Sequence, residues 1–204
     1  MFLPNFAVIR ETLAEIGRVR QVSCTYCQYS SKYDAFCAGE TPNVFNPAFA
    51  GGALMDINLY NLYFAYGLFG VPEKLSYHAH RHANGIDTGG VLVLEYPDFV
   101  CQCTGAKDCQ GDNGAVILGE KGRIRVDGPA SMCSRVTVVT AEGEQAFDLQ
   151  NGEPAWYFEM QGIAERVAAG DYADCYRRLA DTVEVAGLLE RARQDAGIVF
   201  PGIG

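Results

Sequence analysis

A carboxylate and a phenol lie four residues apart, at Asp56 and Tyr60, in an otherwise apolar stretch of the chain. If this stretch is helical, the two side chains share one face. A carboxylate can orient a substrate hydroxyl or accept its proton, and a phenol can donate or accept one. The pair therefore indicates proton transfer at a hydroxyl or carbonyl group. The structural alternative is that Asp56 caps or pairs with another group and Tyr60 belongs to the core.

The three histidines of the chain alternate at positions 78, 80 and 82. On a strand all three would face one way, and such a row of imidazoles can bind zinc or nickel. The alternative is a strand that delivers one histidine to a cleft while the other two are packed or solvated. We favour this alternative and expect no metal ion at the histidines.

Eight cysteines are a second set of possible ligands, at positions 24, 27, 37, 101, 103, 109, 133 and 175. Cys24 and Cys27 have half of a zinc-ribbon spacing, and the cysteines between 101 and 109 are possible partners. If residues 19–29 form a strand, Cys24 and Cys27 point to opposite faces, which argues against chelation. A chain of 204 residues needs no disulfides to fold. We therefore expect buried free thiols in a reduced, cytoplasmic protein.

Composition excludes other classes of function. The formal net charge is −9, which repels phosphate backbones and anionic membrane surfaces, so we expect neither nucleic acid nor membrane as a partner. Charged residues at positions 10, 11 and 15 interrupt any apolar signal segment, and the apolar stretch 59–71 is too short to span a bilayer. The sequence also lacks a glycine-rich nucleotide loop, so it has no recognisable cofactor-binding unit of its own.

The elements that must position Asp56 and Tyr60 follow from periodicity. Helical spacing predicts a helix over residues 5–16, ended by Gly17, and a second, largely apolar helix over residues 51–69. Between them, β-branched and aromatic residues predict a strand over residues 19–29, and glycine, proline and asparagine predict a loop over residues 30–49. The pair would then lie near the start of the second helix.

The remainder of the chain predicts a sheet followed by two helices. Residues 74–149 contain six or so short β-rich runs between turn signals, and helices are predicted over residues 155–169 and 176–196. This order predicts an α+β fold with an open, predominantly antiparallel mixed sheet and helices on one face. The runs 91–96 and 136–140 are apolar at more than alternate positions. We therefore expect the other face to be available for dimerisation, in a homo-oligomer that packs sheet on sheet.

The segment from Gly51 to Asp56, followed by Tyr60, resembles the Gly-Gly-x-x-x-Asp-x-Gly-x-His/Tyr helix of the glucose-fructose oxidoreductase / inositol dehydrogenase (Gfo/Idh/MocA) family. The likeness continues at residues 85–88, 91–97, 119–124, 188–193 and 196–201. It covers essentially the whole chain, but only the C-terminal domain of the family. Tyr60, and the Arg81-His82 pair before residues 84–87, are nearest in pattern to the dimeric dihydrodiol dehydrogenase branch.

The resemblance implies an NAD(P)-dependent oxidoreductase that transfers hydride between nicotinamide and a hydroxyl or carbonyl of a sugar, polyol or diol. Residues 1–204 would be a single substrate-binding and oligomerisation domain, and the N-terminal Rossmann domain, which binds NAD or NADP and supplies a catalytic lysine, would be absent. Asp56 and Tyr60 would be catalytic. The substrate-binding residues would be His82, Asn84 and Asp87.

Two points bear on the mechanism that the resemblance implies. A free tyrosine, with a pKa near ~10, is a poor base at neutral pH, and a lysine ammonium beside it would lower that pKa. Without the lysine we expect this chain alone to catalyse nothing, and whether Tyr60 carries the proton or orients the substrate stays open. Asn58 occupies a position where the family usually has glycine, which affects backbone packing and not the chemistry.

Two other classes of function remain as alternatives. The chain could be a non-catalytic ligand-binding or scaffold protein that uses the same sheet to form oligomers. A weaker alternative is a metalloprotein built on the three histidines.

Overall fold

The computed structural model of the protein describes residues 2–202. Its helices are α1 (Pro4–Thr12), α2 (Tyr33–Cys37), α3 (Leu59–Phe69), α4 (Ala155–Ala169) and α5 (Tyr172–Asp195). Its strands are β1 (Val19–Cys27), β2 (Lys74–Arg81), β3 (Asp87–Glu95), β4 (Val100–Ala106), β5 (Gly114–Gly119), β6 (Gly122–Asp127), β7 (Arg135–Thr140) and β8 (Gly143–Phe147). Short 3₁₀ turns follow α1 and precede α3, and one π-helical turn (Leu54–Asn58) leads directly into α3.

All eight strands belong to one open sheet, in the order β2-β3-β4-β1-β5-β6-β7-β8. β1 and β4 are parallel, and every other neighbouring pair is antiparallel. The insertion of β1 between β4 and β5 brings the C-terminal ends of β1 and β4 to the same edge of the sheet. The predicted α+β class, with an open and mostly antiparallel mixed sheet, is confirmed.

The core lies between the sheet and the helices. α1 contacts β7, α3 contacts β1 and β4, and α5 contacts β2. Alternate strand residues face this layer, among them Val22, Leu92 and Ile117, which are fully buried. The opposite face carries a mixture of valine, threonine, serine and glutamine side chains, most of them half-buried in the single chain.

The structure differs from the sequence-based prediction at several points. The segment 30–49, predicted as a loop, contains α2 and two 3₁₀ turns, because Phe36 and Phe45 stack with ring centroids 4.6 Å apart and anchor it to the core. Seven strands follow α3 where about six were expected. α5 begins at Tyr172, four residues earlier than predicted, where the Asp171 side chain accepts a hydrogen bond from the amide of Asp174.

Over residues 2–202, every helix falls short of the length or apolar character that spanning a lipid bilayer demands.

Candidate functional site

Asp56 lies on the π-helical turn that opens α3. Single π-helical turns are rare and frequently lie at functional sites in proteins. Gly52 precedes the turn with φ at +134°, in a region that side chains other than glycine rarely adopt, and a Cβ at Gly52 would collide with the carboxylate of Asp87. The glycine therefore allows the strand that carries Asp87 to approach the start of the helix.

Asp87, the first residue of β3, holds the start of this helix through its carboxylate. Its Oδ2 accepts hydrogen bonds from the amide of Leu54 at 2.7 Å and from the hydroxyl of Tyr77 at 2.5 Å, and its side chain is fully buried. Burial raises the pKa of Asp87, while these hydrogen bonds act in the opposite direction. A carboxylate at a helix N-terminus satisfies backbone donors that have no partner within the helix. Asp87 thus fixes the turn that carries Asp56.

Lys107 lies directly against Asp56. Its Nζ donates a hydrogen bond to Oδ2 of Asp56 and lies 5.1 Å from the centre of the Phe45 ring. The Lys107 side chain is 4% exposed, whereas that of Asp56 is 48% exposed. Burial lowers the pKa of Lys107 to about 8. The result is a buried ammonium that holds a carboxylate at the surface.

Lys107 is a residue that sequence reasoning missed. It follows the last residue of β4, and its position next to Asp56 depends on the parallel pairing of β1 and β4, which brings the end of β4 under the π-helical turn. The signal in the sequence was a single lysine directly after a buried strand. A buried lysine requires a partner for its charge.

Tyr60 lies on the first turn of α3, with 41% of its surface exposed. Its ring faces Tyr26 of β1, with ring centroids 5.8 Å apart. Burial raises the pKa of Tyr26, and the neighbouring Tyr60 raises it further. Tyr60, Tyr26 and Tyr63 line a groove of about 600 Å³ between α3, the first residues of the chain, the segment 130–132 and the start of α4. Asp56 lies outside the lining of this groove.

The remaining predicted substrate-binding residues occupy the turn after β2. Nδ1 of His82 lies 2.9 Å from Oδ1 of Asn84, and Nδ2 of Asn84 donates to the carbonyl of Phe45 at 3.0 Å. The His82 ring packs on Phe36. Phe45 thus links Asn84, through its carbonyl, to Lys107, through its ring. The structure places Asp87 in the interior, beneath the helix.

The three histidines are divided between a strand and a turn. His78 and His80 face the open side of the sheet from β2, and His82 follows the end of that strand. Nδ1 of His80 lies 3.3 Å from Oδ2 of Asp108, which also accepts a hydrogen bond from Thr88 at 2.7 Å. Over residues 2–202, the one group of three or more ligating side chains close enough to share a metal ion contains cysteines and no histidine.

Comparisons of sequence and structure relate the chain to known proteins. The sequence model of the GFO/IDH/MocA C-terminal domain matches residues 6–125. The chain is 36% identical over 201 residues to the uncharacterized oxidoreductase YgjR of Escherichia coli (strain K12) and 32% identical over 201 residues to the scyllo-inositol 2-dehydrogenase (NADP(+)) IolU of Bacillus subtilis (strain 168). It is 30% identical over 215 aligned positions to the human trans-1,2-dihydrobenzene-1,2-diol dehydrogenase.

These alignments cover 98% of this chain but only 60% or 61% of each relative, so the chain spans about three fifths of their length. Among solved structures, KijD10, a 3-ketoreductase from Actinomadura kijaniata, aligns with a TM-score of 0.69 at 18% identity, over 95% of this chain and 58% of that one. An oxidoreductase from Agrobacterium radiobacter aligns with a TM-score of 0.68 at 13% identity, over 96% of this chain and 60% of that one. At these identities the structural likeness concerns the fold, and the sequence matches show the family. The chain belongs to the GFO/IDH/MocA family, in the part of it that forms the C-terminal domain.

Proposed function

We propose that this domain supplies the substrate-orienting and proton-handling groups of an NAD(P)-dependent oxidoreductase that acts on a hydroxyl or carbonyl of a sugar, polyol or diol. The observation that carries the proposal is the start of α3. There a half-exposed carboxylate, Asp56, is held by the buried Lys107, and one turn later the exposed phenol of Tyr60 borders a groove. Two relatives, a scyllo-inositol 2-dehydrogenase and a trans-1,2-dihydrobenzene-1,2-diol dehydrogenase, support this substrate class.

The roles of the residues follow from their contacts. Asp56 accepts a hydrogen bond from the substrate hydroxyl, because its half-exposed carboxylate has capacity beyond its contact with Lys107. Lys107 is a positioning residue, because its ammonium balances the charge of Asp56 and fixes the direction of that carboxylate. Tyr60 exchanges the hydroxyl proton or orients the hydroxyl, since its phenol is exposed at the rim of the groove.

The nicotinamide cofactor would accept or donate the hydride. We place its binding mainly on a separate dinucleotide-binding domain, because this sequence has no glycine-rich phosphate loop. The solved structures of KijD10 and of the Agrobacterium radiobacter oxidoreductase contain NADP and NAD+, respectively, which supports this choice of cofactor. Exposed apolar side chains on α4 and α5, among them Trp156 and Val167, support a covering domain there.

A chimera tests the proposal. The part of Bacillus subtilis IolU that this chain does not cover is joined in front of residue 3, and NADP-dependent oxidation of inositols, sugars and vicinal diols is followed by absorbance. We expect turnover of at least one of these substrates. Asp56→Asn should raise KM, and Tyr60→Phe should lower kcat by about 100-fold, the usual contribution of a positioned acid or base.

Matched controls are available within the chain. Tyr176 on α5 is 71% exposed and lies outside the groove, and Asp98 lies at the opposite end of the sheet. Tyr176→Phe and Asp98→Asn should leave both kinetic constants unchanged. If Asp56→Asn and Tyr60→Phe have kinetics like these controls, the two residues are structural. If the chimera binds NADPH, measured by its fluorescence, but turns over no substrate, the non-catalytic ligand-binding alternative replaces the proposal.

We also propose that the open face of the sheet forms the interface of a homo-oligomer. Val91, Val116 and Val139 lie on this face of β3, β5 and β7, and Leu118 is 38% exposed there. A second copy would bury these side chains in an isologous contact. Sedimentation velocity at micromolar concentration should give a dimer or a larger oligomer, and Val116→Lys should give a folded monomer. A monomeric parent protein would refute this part of the proposal.

The eight free cysteines favour a reducing compartment, and we therefore place the protein in the cytoplasm.

A further inference from the structure

Three cysteine side chains converge inside the core, on the two strands that pack against the π-helical turn and α3. Cys24 of β1 and Cys103 of β4 are direct partners in the parallel pairing, and Cys101 precedes Cys103 by two residues on the same face. All three are at most 1% exposed. Their Sγ atoms lie within 4.8 Å of one another, and those of Cys101 and Cys103 are 3.8 Å apart. We call these three residues the cysteine cluster.

The sulfur atoms lie closer together than regular strand geometry requires. Residues two apart on a strand are separated by roughly 6.6 Å along its axis, so side chains that stand straight out from the sheet keep about that distance. The 3.8 Å separation of the Cys101 and Cys103 sulfurs therefore requires both side chains to turn toward a common centre. Cys24 approaches the same centre from the neighbouring strand. This arrangement brings three soft donor atoms around one point.

The size of the cluster matches a metal–sulfur centre. With a metal–thiolate bond of about 2.3 Å, three sulfurs around one ion in a trigonal plane lie roughly 4.0 Å apart. The observed separations of 3.8 Å to at most 4.8 Å come close to that value with small side-chain movements. Over residues 2–202, no other cysteine, histidine or carboxylate joins the group. A tetrahedral zinc site, which takes four ligands, is therefore incomplete here.

We propose that the cysteine cluster is a three-coordinate site for a soft monovalent cation, Cu(I). Soft thiolate ligands suit Cu(I), zinc and iron–sulfur clusters. Because a structural zinc site takes four ligands, a set of three thiolates favours Cu(I) over zinc. Each sulfur that binds as a thiolate releases its proton to solvent, and copper enters and stays as Cu(I), so no electron is transferred. Because the cluster is buried, the ion enters while the chain folds or during transient opening of α3 over the sheet. The proposal is independent of the proposed oxidoreductase function.

The test uses a background from which the three exposed thiols are removed, Cys37→Ser, Cys109→Ser and Cys175→Ser. This protein is refolded anaerobically with Cu(I) and then dialysed against a Cu(I) chelator. We expect one copper ion per chain, with three sulfur neighbours at about 2.3 Å by X-ray absorption spectroscopy. Cys101→Ala should weaken retention by at least about 100-fold, whereas Cys133→Ala, which removes a buried cysteine outside the cluster, should not.

A second measurement needs no cluster variant and so does not depend on whether such a variant folds. In the same background five thiols should react with a thiol reagent in urea when copper is absent. The number should fall to two when the copper-loaded protein is unfolded in urea without a chelator, because the three thiols of the cysteine cluster stay bound to Cu(I). Absence of copper after refolding in its presence overturns the proposal, and so does equal retention by the Cys101→Ala and Cys133→Ala variants. Zinc retained by the cluster with Cu(I)-like affinity overturns the three-coordinate assignment.

Discussion

Lys107 is the buried charge whose removal tests the electrostatic description of the site most directly. Its ammonium is 4% exposed, and burial lowers its pKa to about 8 from the ordinary value of 10.5. One pKa unit corresponds to about 1.36 kcal/mol, so charging Lys107 in the folded protein costs at most about 3 kcal/mol. We therefore expect Lys107→Met, which keeps the length of the side chain, to raise the free energy of unfolding at pH 7 by up to that amount.

The sign of the pH dependence follows from the same shift. Between pH 8 and pH 10.5 the unfolded chain holds the Lys107 proton while the folded protein has released it, so the stability of the parent rises with pH. The stability advantage of Lys107→Met should accordingly be largest below pH 8 and vanish near pH 10.5. Urea unfolding of both proteins, measured from pH 7 to pH 10.5, gives this difference directly.

Lys74→Met is the matched control, because Lys74 is 76% exposed and its pair with Glu95 spans 3.9 Å at the surface. Its effect on stability should be small and independent of pH. If Lys107→Met instead lowers stability at pH 7, the attraction between Lys107 and Asp56 outweighs the cost of burial, and the reasoning above is refuted. A difference that does not change with pH would refute it equally.

Three further predictions concern the supports of the site and of the last two helices. Gly52→Ala should lower the free energy of unfolding in urea by at least about 2 kcal/mol, because Gly52 has a φ of +134° and lies against Asp87. Gly187→Ala is the control: this residue lies on open helix surface, and the substitution should raise the free energy of unfolding by up to about 1 kcal/mol. Tyr77→Phe removes a donor to the buried Asp87 and should cost about 1–3 kcal/mol by the same assay. Three arginine side chains hold the pKa of Asp174 well below its usual range. Asp174→Asn should therefore reduce the loss of stability as pH falls below about 4, measured by thermal unfolding. An unfolding temperature that falls with pH as steeply in the variant as in the parent would contradict this.

Local patterns predicted most of the elements. The helix over residues 155–169 and the first residue of β1 agree with the structure because periodicity and the turn residues around them act within a few positions of the chain. Residues 30–49 were predicted as a loop because glycine, proline and asparagine dominate there. Phe36 and Phe45 nonetheless order that segment, through a stacked contact that no local propensity encodes.

The composition of the site was only partly predictable. Asp56 and Tyr60 were found because their spacing is local and their helix matches a family motif. Lys107 is 51 residues from Asp56, and the three members of the cysteine cluster come from two strands whose parallel pairing cannot be read from either strand alone. Cys24 was paired with Cys27, and the cysteines between 101 and 109 were named only as possible partners, whereas in the structure Cys24 meets Cys101 and Cys103. The predictions failed where long-range strand order decides which side chains meet.

Asn58 shows how a departure from a family motif is accommodated by a residue elsewhere in the chain. Where the family helix usually has glycine, Asn58 is fully buried, and its Nδ2 donates to the carbonyl of Cys103 at 3.0 Å. Opposite it, β4 has Gly105, at which a Cβ would come within 2.6 Å of the Asn58 Cβ. Gly105 therefore allows the backbones of the π-helical turn and β4 to remain close with an asparagine at position 58. Because Asn58 is two residues from Asp56, this contact, together with Asp87 below, holds the carboxylate on a rigid turn.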